Sequence, residues 1–238
     1  KRIEAFYADS GYPDARVTDF DVTLNGTGPA MSLTTGTLSG ATAATANFQS
    51  ITSSGSSSSG ISLTSVGGIM SVGGGAISGT TGGACITVNG GGVAFTNYSG
   101  GLTQASNNPL VSVSGGHTGS LTFQTGTLSA TNGTGLQFDN ADGTYNFNGT
   151  VTLNGGDAGI DILNGSSGTF SFSSNTSITN PTNAGFNLSG ATASNATVTY
   201  SGSISKNNAG FAIDIDNHDA NTVTFQTGTI SSTGTSSG

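Results

Sequence analysis

The chain has 238 residues, of which 40 are Gly and 72 are Ser or Thr, with one Cys, no Trp and only 7% charged side chains. Twelve acids against four cations give a net charge of −8, too few positive groups to neutralise phosphate, which argues against nucleic acid and against anchoring on anionic lipid. So little charge, with a mean hydropathy near zero, also argues against ordinary disorder. The single cysteine precludes an internal disulfide, and no apolar run is long enough to cross a bilayer.

Residues 1–20 differ in composition from the rest of the chain. They hold three of the four cations (Lys1, Arg2, Arg16), the only Glu (Glu4) and two tyrosines, Tyr7 and Tyr12. They read as an N-terminal cap over the open end of a repeat array, or as a segment that docks onto a neighbouring molecule. The chain opens on Lys1-Arg2 and stops within a repeat after Ile230, as an excised or processed piece of a longer protein would.

From Val22 onward, residues 21–238 read as one repeat domain. Val22-Thr23-Leu24-Asn25-Gly26 returns letter for letter as Val151-Thr152-Leu153-Asn154-Gly155, and Phe123-Gln124-Thr125-Gly126-Thr127-Leu128 returns as Phe225-Gln226-Thr227-Gly228-Thr229-Ile230. A first-strand apolar pair recurs about every 25 residues: Met31/Leu33, Ile61/Leu63, Ile86/Val88, Val111/Val113, Leu136/Phe138, Ile160/Ile162, Phe186/Leu188 and Phe211/Ile213. A second alternating pair comes next, as in Tyr145/Phe147, Phe170/Phe172, Val198/Tyr200 and Val223/Phe225. A lone branched residue closes each unit: Leu24, Ile51, Ile77, Leu102, Leu128, Leu153, Ile178, Ile204 and Ile230.

A fixed period of short alternating strands without a helical pattern is the mark of a solenoid. Each unit is too small to bury its own apolar residues, so each strand must pair in parallel with its copy one turn later. The prediction is an all-β, single-stranded, right-handed parallel β-helix of about 25 residues per turn and eight to nine turns, with no substantial helix. An insertion of about five residues near 39–44, the Ser-rich turn from Ser53 to Gly60, and soft turns at Gly67-Gly68 and Gly73-Gly75 are its expected irregularities.

Candidate chemistry is sparse. Asp214, Asp216 and Asp219 lie within Ile213-Asp214-Ile215-Asp216-Asn217-His218-Asp219. If Ile213 and Ile215 point inward, Asp214 and Asp216 share the outer face, an oxygen-rich arrangement that suits calcium better than acid–base catalysis. Asp139 is expected in the column of Asp214. A glycosidase or lyase needs clustered acids or cations around its substrate, and neither cluster is evident, so no catalytic residue is assigned. His117 and His218 each lack a second ligand nearby, which argues against zinc. Cys85 reads as a small core residue. The residues beside the closing position, from Ser50/Thr52 to Thr229/Ser231, predict a two-file hydroxyl strip of the kind an ice-binding face presents. Asn108, Asp157, Asn183 and Asn208 predict a ladder in the turn before the first strand.

The Gly/Asn/Ser/Thr-rich turns, the strands of alternate Ile, Leu, Val and Phe, and the scarcity of Lys, Arg and Cys resemble bacterial surface β-helix proteins. These include autotransporter passengers, polymorphic outer-membrane proteins and adhesins. Gly74-Gly75-Ala76-Ile77 resembles an element of the polymorphic group. The resemblance implies an extracellular or cell-surface rod, and it carries over no site residues. The expected function is a non-enzymatic structural fibre or adhesin segment that self-associates end to end, with a host surface or glycan as a further partner. A glycan-processing or glycan-binding β-helix and an ice-binding protein are the alternatives.

Overall fold

A computed structural model describes residues 21–25, 27–38, 45–157 and 159–234. The segment 1–20 and the insertion at 39–44 lie outside the described residues. Every regular element described is a β-strand, and every strand pairing is parallel. The chain is a β-solenoid of about 25 residues per turn, as the period predicts.

One turn shows how the sequence builds it. Gly135–Ala141 enters the first stack of strands, Thr144–Phe147 the second and Thr150–Asn154 the third. The next turn repeats this with Gly159–Leu163, Thr169–Phe172 and Thr176–Thr179, pairing Leu136 with Ile160, Tyr145 with Phe170 and Val151 with Thr176. The third stack is a nine-stranded sheet, from Asp21–Asn25 to Ile230–Ser232. The first and second stacks form one fifteen-stranded sheet because Ile61–Val72, twelve residues long, belongs to both. Gly67-Gly68, expected as a turn, lies inside that strand. Gly68 bends it at φ 86°, where a Cβ would sit 2.0 Å from the Leu38 carbonyl oxygen.

The bend between first and second stacks recurs at one register position. Thr35, Ser65, Gly90, Gly115, Asn140, Asn164, Gly190 and Asn217 stand two residues beyond the paired positions Leu33, Leu63, Val88, Val113, Phe138, Ile162, Leu188 and Ile215, and all have positive φ. Gly and Asn bear the left-handed conformation most readily, which explains their frequency in these turns.

Alternation sends Ile, Leu, Val and Phe inward from all three stacks into one continuous core. Aromatic rings of the second stack lie turn upon turn. Phe147 stacks between Phe123 at 4.9 Å and Phe172 at 5.1 Å, with 16° between planes in both pairs, and Tyr145 stacks on Phe170 at 4.9 Å.

The closing residues do not form one column. Leu24 pairs with Ser53 rather than Ile51, and Leu128 with Val151 rather than Leu153. Third-stack strands offer two inward positions two residues apart, and the apolar residue moves between them. One column runs Ser53, Ile77, Leu102, Leu128, Val151, Thr176; the other runs Gln104, Ala130, Leu153, Ile178, Ile204, Ile230. Where the marker slips, a hydroxyl is left in the core. Ser53 and Thr176 are buried, and neither Oγ has a hydrogen-bond partner. Thr176→Val keeps the shape and removes the stranded hydroxyl, so a gain of about 1–2 kcal/mol is expected in urea denaturation. A loss would mean that the hydroxyl is satisfied in solution.

The last first-strand pair is likewise Ile213/Ile215, opposite Phe186 and Leu188, rather than Phe211/Ile213. Phe211 precedes the strand and is 61% exposed.

Candidate functional site

Asp214 and Asp216 stand on the strand Ile213–Ile215 and just after it, and Asn217, at φ 57°, turns the chain before Asp219. Among the described residues no group of three His, Cys, Asp or Glu side chains is placed to hold a metal ion. Asp219 follows that left-handed turn, and its backbone N–H donates to the Ser194 carbonyl at 3.0 Å. Asp139 is not in the column of Asp214. It pairs with Leu163, which pairs with Ser189, the register position before Gly190 and hence that of Asp216. The acid in the column of Asp214 is Asp161, through Asn187.

Asp139, Asp142, Asp157 and Asp161 are engaged with the neighbouring turn. Asp161 accepts from Asn187 Nδ2 at 2.9 Å on one side and from Gln137 Nε2 on the other. Burial pushes its carboxyl above the usual value, the two amides pull it back, and Asp157 adds to the rise. Asp157 accepts from the backbone N–H and Nδ2 of Asn183, at 3.0 and 2.9 Å, which bears out half of the predicted ladder. Asn108 donates to the Thr81 carbonyl at 2.8 Å, while Asn208 Oδ1 is buried without a partner. Asp139 accepts from Asn164 Nδ2 at 3.0 Å, and Asp142 from both the N–H and the hydroxyl of Ser167. Such turn-to-turn bonds fix register, and they leave these carboxylates as structural acceptors.

Lys206, the one cation among the described residues, is not available to a ligand. It is 1% exposed, and its Nζ donates to the carbonyls of Pro181 and Asn183, each at 2.7 Å. Burial pulls its pKa down while Asp157 opposes the shift. Gln104 plugs the same kind of corner, with Nε2 donating to Thr80 Oγ1 and to the carbonyls of Gly83 and Pro109. Neither burial was evident from residue type alone. Both sit at inward positions or turn corners where the alternation of the third stack runs out.

His117 is fully buried. Its Nε2 faces the Val93 carbonyl at 3.0 Å and so bears the proton, which leaves Nδ1 to accept from the Tyr145 hydroxyl, also at 3.0 Å. The tyrosine oxygen receives the Gly143 N–H at 3.1 Å and lies 3.1 Å from the His117 carbonyl. Burial holds the imidazole below its ordinary pKa, with the bond to Val93 opposing. Above about pH 6.5 both folded and unfolded states are neutral here, and His117 adds no pH dependence. As pH falls below that value the unfolded chain takes the proton first, so stability drops until the folded-state pKa is passed. The urea midpoint is expected to fall from about pH 6.5 downward, and His117→Gln to reduce that slope. A slope unchanged in the variant would assign it elsewhere.

Cys85 is buried beside Thr80, and burial raises its thiol to about 11, so it is inert at neutral pH. His218 lies opposite Ser194, and both ring nitrogens are buried without partners. Tyr98 and Tyr200 are core residues whose hydroxyls donate to the carbonyls of Gly101 and Ser203.

The hydroxyl strip is present with a shifted membership. Ser54, Ser78, Thr103, Ser129, Thr152, Ser177 and Ser203 are paired in one file on the third stack. Thr127 belongs beside it, with Ala76, Gly101 and Thr150, and Asn154, Thr179, Ser205 and Ser231 make a third file. The two residues without a polar side chain in the Thr127 file interrupt its hydroxyl lattice.

At the C-terminal end the strands Ile213–Ile215, Val223–Phe225 and Ile230–Ser232 are each the last of their stack. Phe211 at 61%, Ile215 at 43% and Ile230 at 39% are exposed around the half-buried Ile213, Val223 and Phe225. This rim is the largest concentration of exposed apolar side chains among the described residues.

No helix among the described residues is long and apolar enough to cross a membrane. No protein-family model, no curated protein and no solved structure matches the chain.

Proposed function

We propose that this chain is a non-enzymatic structural fibre or adhesin segment of a cell surface, working by mechanical reach and by end-to-end association. The observation that carries the reading is how its ionisable groups are used. Asp139, Asp142, Asp157 and Asp161 serve the neighbouring turn, His117 is locked in the core, and Lys206 is held by carbonyls. An acid–base or anion-stabilising site needs such groups gathered toward a substrate. The sequence resemblance to bacterial surface β-helix proteins supports the same reading.

Electron microscopy of the purified chain, together with activity on a panel of polysaccharides, tests the proposal. Filaments about one solenoid wide, without glycan cleavage, are expected. Lyase or hydrolase activity would overturn it in favour of a carbohydrate-active β-helix.

A further inference from the structure

We infer that His117 and Tyr145 form a proton switch inside the core. The Tyr145 hydroxyl turns from the His117 ring to the His117 carbonyl, and the folded solenoid takes up one proton from solvent without losing a hydrogen bond. The switch is independent of the fibre reading, and neither stands or falls with the other.

The placement of two side chains carries it. The second-stack column that contains Tyr145 runs from Phe95 through Leu121, Phe170 and Val198 to Val223, and every one of those partners is apolar. The hydroxyl that breaks the run is buried, and it lies 3.0 Å from Nδ1 of an equally buried imidazole. On its other side the ring is fixed by the Val93 carbonyl, 3.0 Å from Nε2. The pair therefore ties His117 to the turn before it and to the turn after it. A phenylalanine would fill the Tyr145 position as Phe170 fills the next one, so packing does not account for the hydroxyl.

Hydrogen-bond accounting gives the two states. A phenol has one proton to donate and two lone pairs to accept with. With the imidazole neutral, the tyrosine oxygen receives the Gly143 N–H at 3.1 Å and gives its own proton to Nδ1. With a proton on Nδ1, the ring donates to the tyrosine oxygen, and the hydroxyl proton turns to the His117 carbonyl, 3.1 Å away. That carbonyl already accepts the Asp142 N–H at 2.9 Å, and its second lone pair takes the hydroxyl. The bonds to Val93 and Gly143 are the same in both states. Among the described residues, the titratable groups on the adjoining strands and turns are engaged elsewhere. Asp142 is bound to Ser167, Asp139 to Asn164, and the Tyr98 hydroxyl to the Gly101 carbonyl. The imidazolium is thus held by dipoles without a bound carboxylate, and burial keeps its uptake below the ordinary histidine value.

The test is solid-state NMR of the chain labelled with nitrogen-15 at histidine, prepared at a series of pH values, with circular dichroism as the measure of fold. Solid samples serve equally for single rods and for filaments. His117→Gln identifies the signals of the two histidines. At neutral pH the His117 ring is expected to carry its proton on Nε2 alone. On acidification Nδ1 is expected to gain a proton while the circular dichroism of the solenoid persists, with a midpoint below about pH 6.5. Because the folded state then binds the proton too, the loss of stability toward acid levels off below that midpoint. In Tyr145→Phe the Nδ1–H has no acceptor. Uptake is expected to move to lower pH, and stability to go on falling over a wider acid interval. A neutral-pH proton on Nδ1 in place of Nε2 would overturn the switch. So would an Nδ1 that stays bare until the solenoid unfolds, or a midpoint unchanged in Tyr145→Phe. Should Tyr145→Phe not fold, the titration of the parent chain decides alone.

Discussion

Gly126→Ala is expected to destabilise the solenoid by about 3 kcal/mol or more, at the upper end of what overpacking costs. Gly126 lies in the turn between the second and third stacks, and a Cβ there would stand 1.7 Å from the Gly100 carbonyl oxygen. The obstacle is backbone. The same clash recurs along the corner: Gly100 would meet the Gly75 oxygen at 1.9 Å, and Gly228 the Gly202 oxygen at 1.6 Å. In a solenoid each turn is laid directly on the one before, so a carbonyl cannot retreat without opening the parallel ladder on both sides. Gly36→Ala is the matched control. A Cβ on Gly36 meets nothing within 4 Å, and the change is expected to stay within about 0.5 kcal/mol. Urea denaturation followed by circular dichroism separates the two. Equal small losses would mean that neighbouring turns are more loosely stacked than these distances require.

Those glycines also show what could be read in the sequence and what could not. The period, the parallel pairing and the second-strand pairs were legible, because inward positions repeat with one residue class and the same spacing. The third stack was not, because its strands offer two inward positions. A marker two residues out of register, as between Ile51 and Ile77 or between Leu128 and Leu153, keeps nearly the same period and looks like one column. Only pairing reveals that Ser53 and Thr176 fill the gaps.

The same slip moved the hydroxyl files, and reading the last first-strand pair two residues early, as Phe211/Ile213 instead of Ile213/Ile215, misplaced Asp139 against Asp214, since an outward residue inherits the register of its inward neighbours. Lys206 was invisible for another reason. Its stem is long enough to carry a charge from a strand end to the carbonyls of the adjacent turn, and nothing in residue type announces burial of a lysine. The engagement of the acids was legible only in part. Asp157 and Asn183 stood in a predicted ladder, but the bonds from Gln137 and Asn187 to Asp161 needed register to the residue.

Phe147→Ala is expected to cost about 3–5 kcal/mol and also to change the form of the unfolding transition. Phe147 is fully buried, with rings stacked on it from both neighbouring turns and Phe138 edge-on at 6.1 Å. Truncation removes the partner of Phe123 and of Phe172 together, leaving a gap that fixed backbones on either side cannot collapse to fill. Cooperativity in a solenoid passes only between adjacent turns, so weakening the turn at 147 uncouples the turns before it from those after it. The expected observation is a single urea transition in the parent chain and two in the variant, with probes at either end no longer coincident.

Phe147→Leu keeps an apolar bridge, and is expected to restore one transition at a cost of about 1–2 kcal/mol. Phe225→Ala, half-buried on the last described strand of its stack, is expected to cost less than Phe147→Ala and to leave the transition single, because no described strand is stacked beyond it to uncouple. Should Phe147→Ala and Phe225→Ala cost the same, the aromatic stack would be filling the core without coupling its turns.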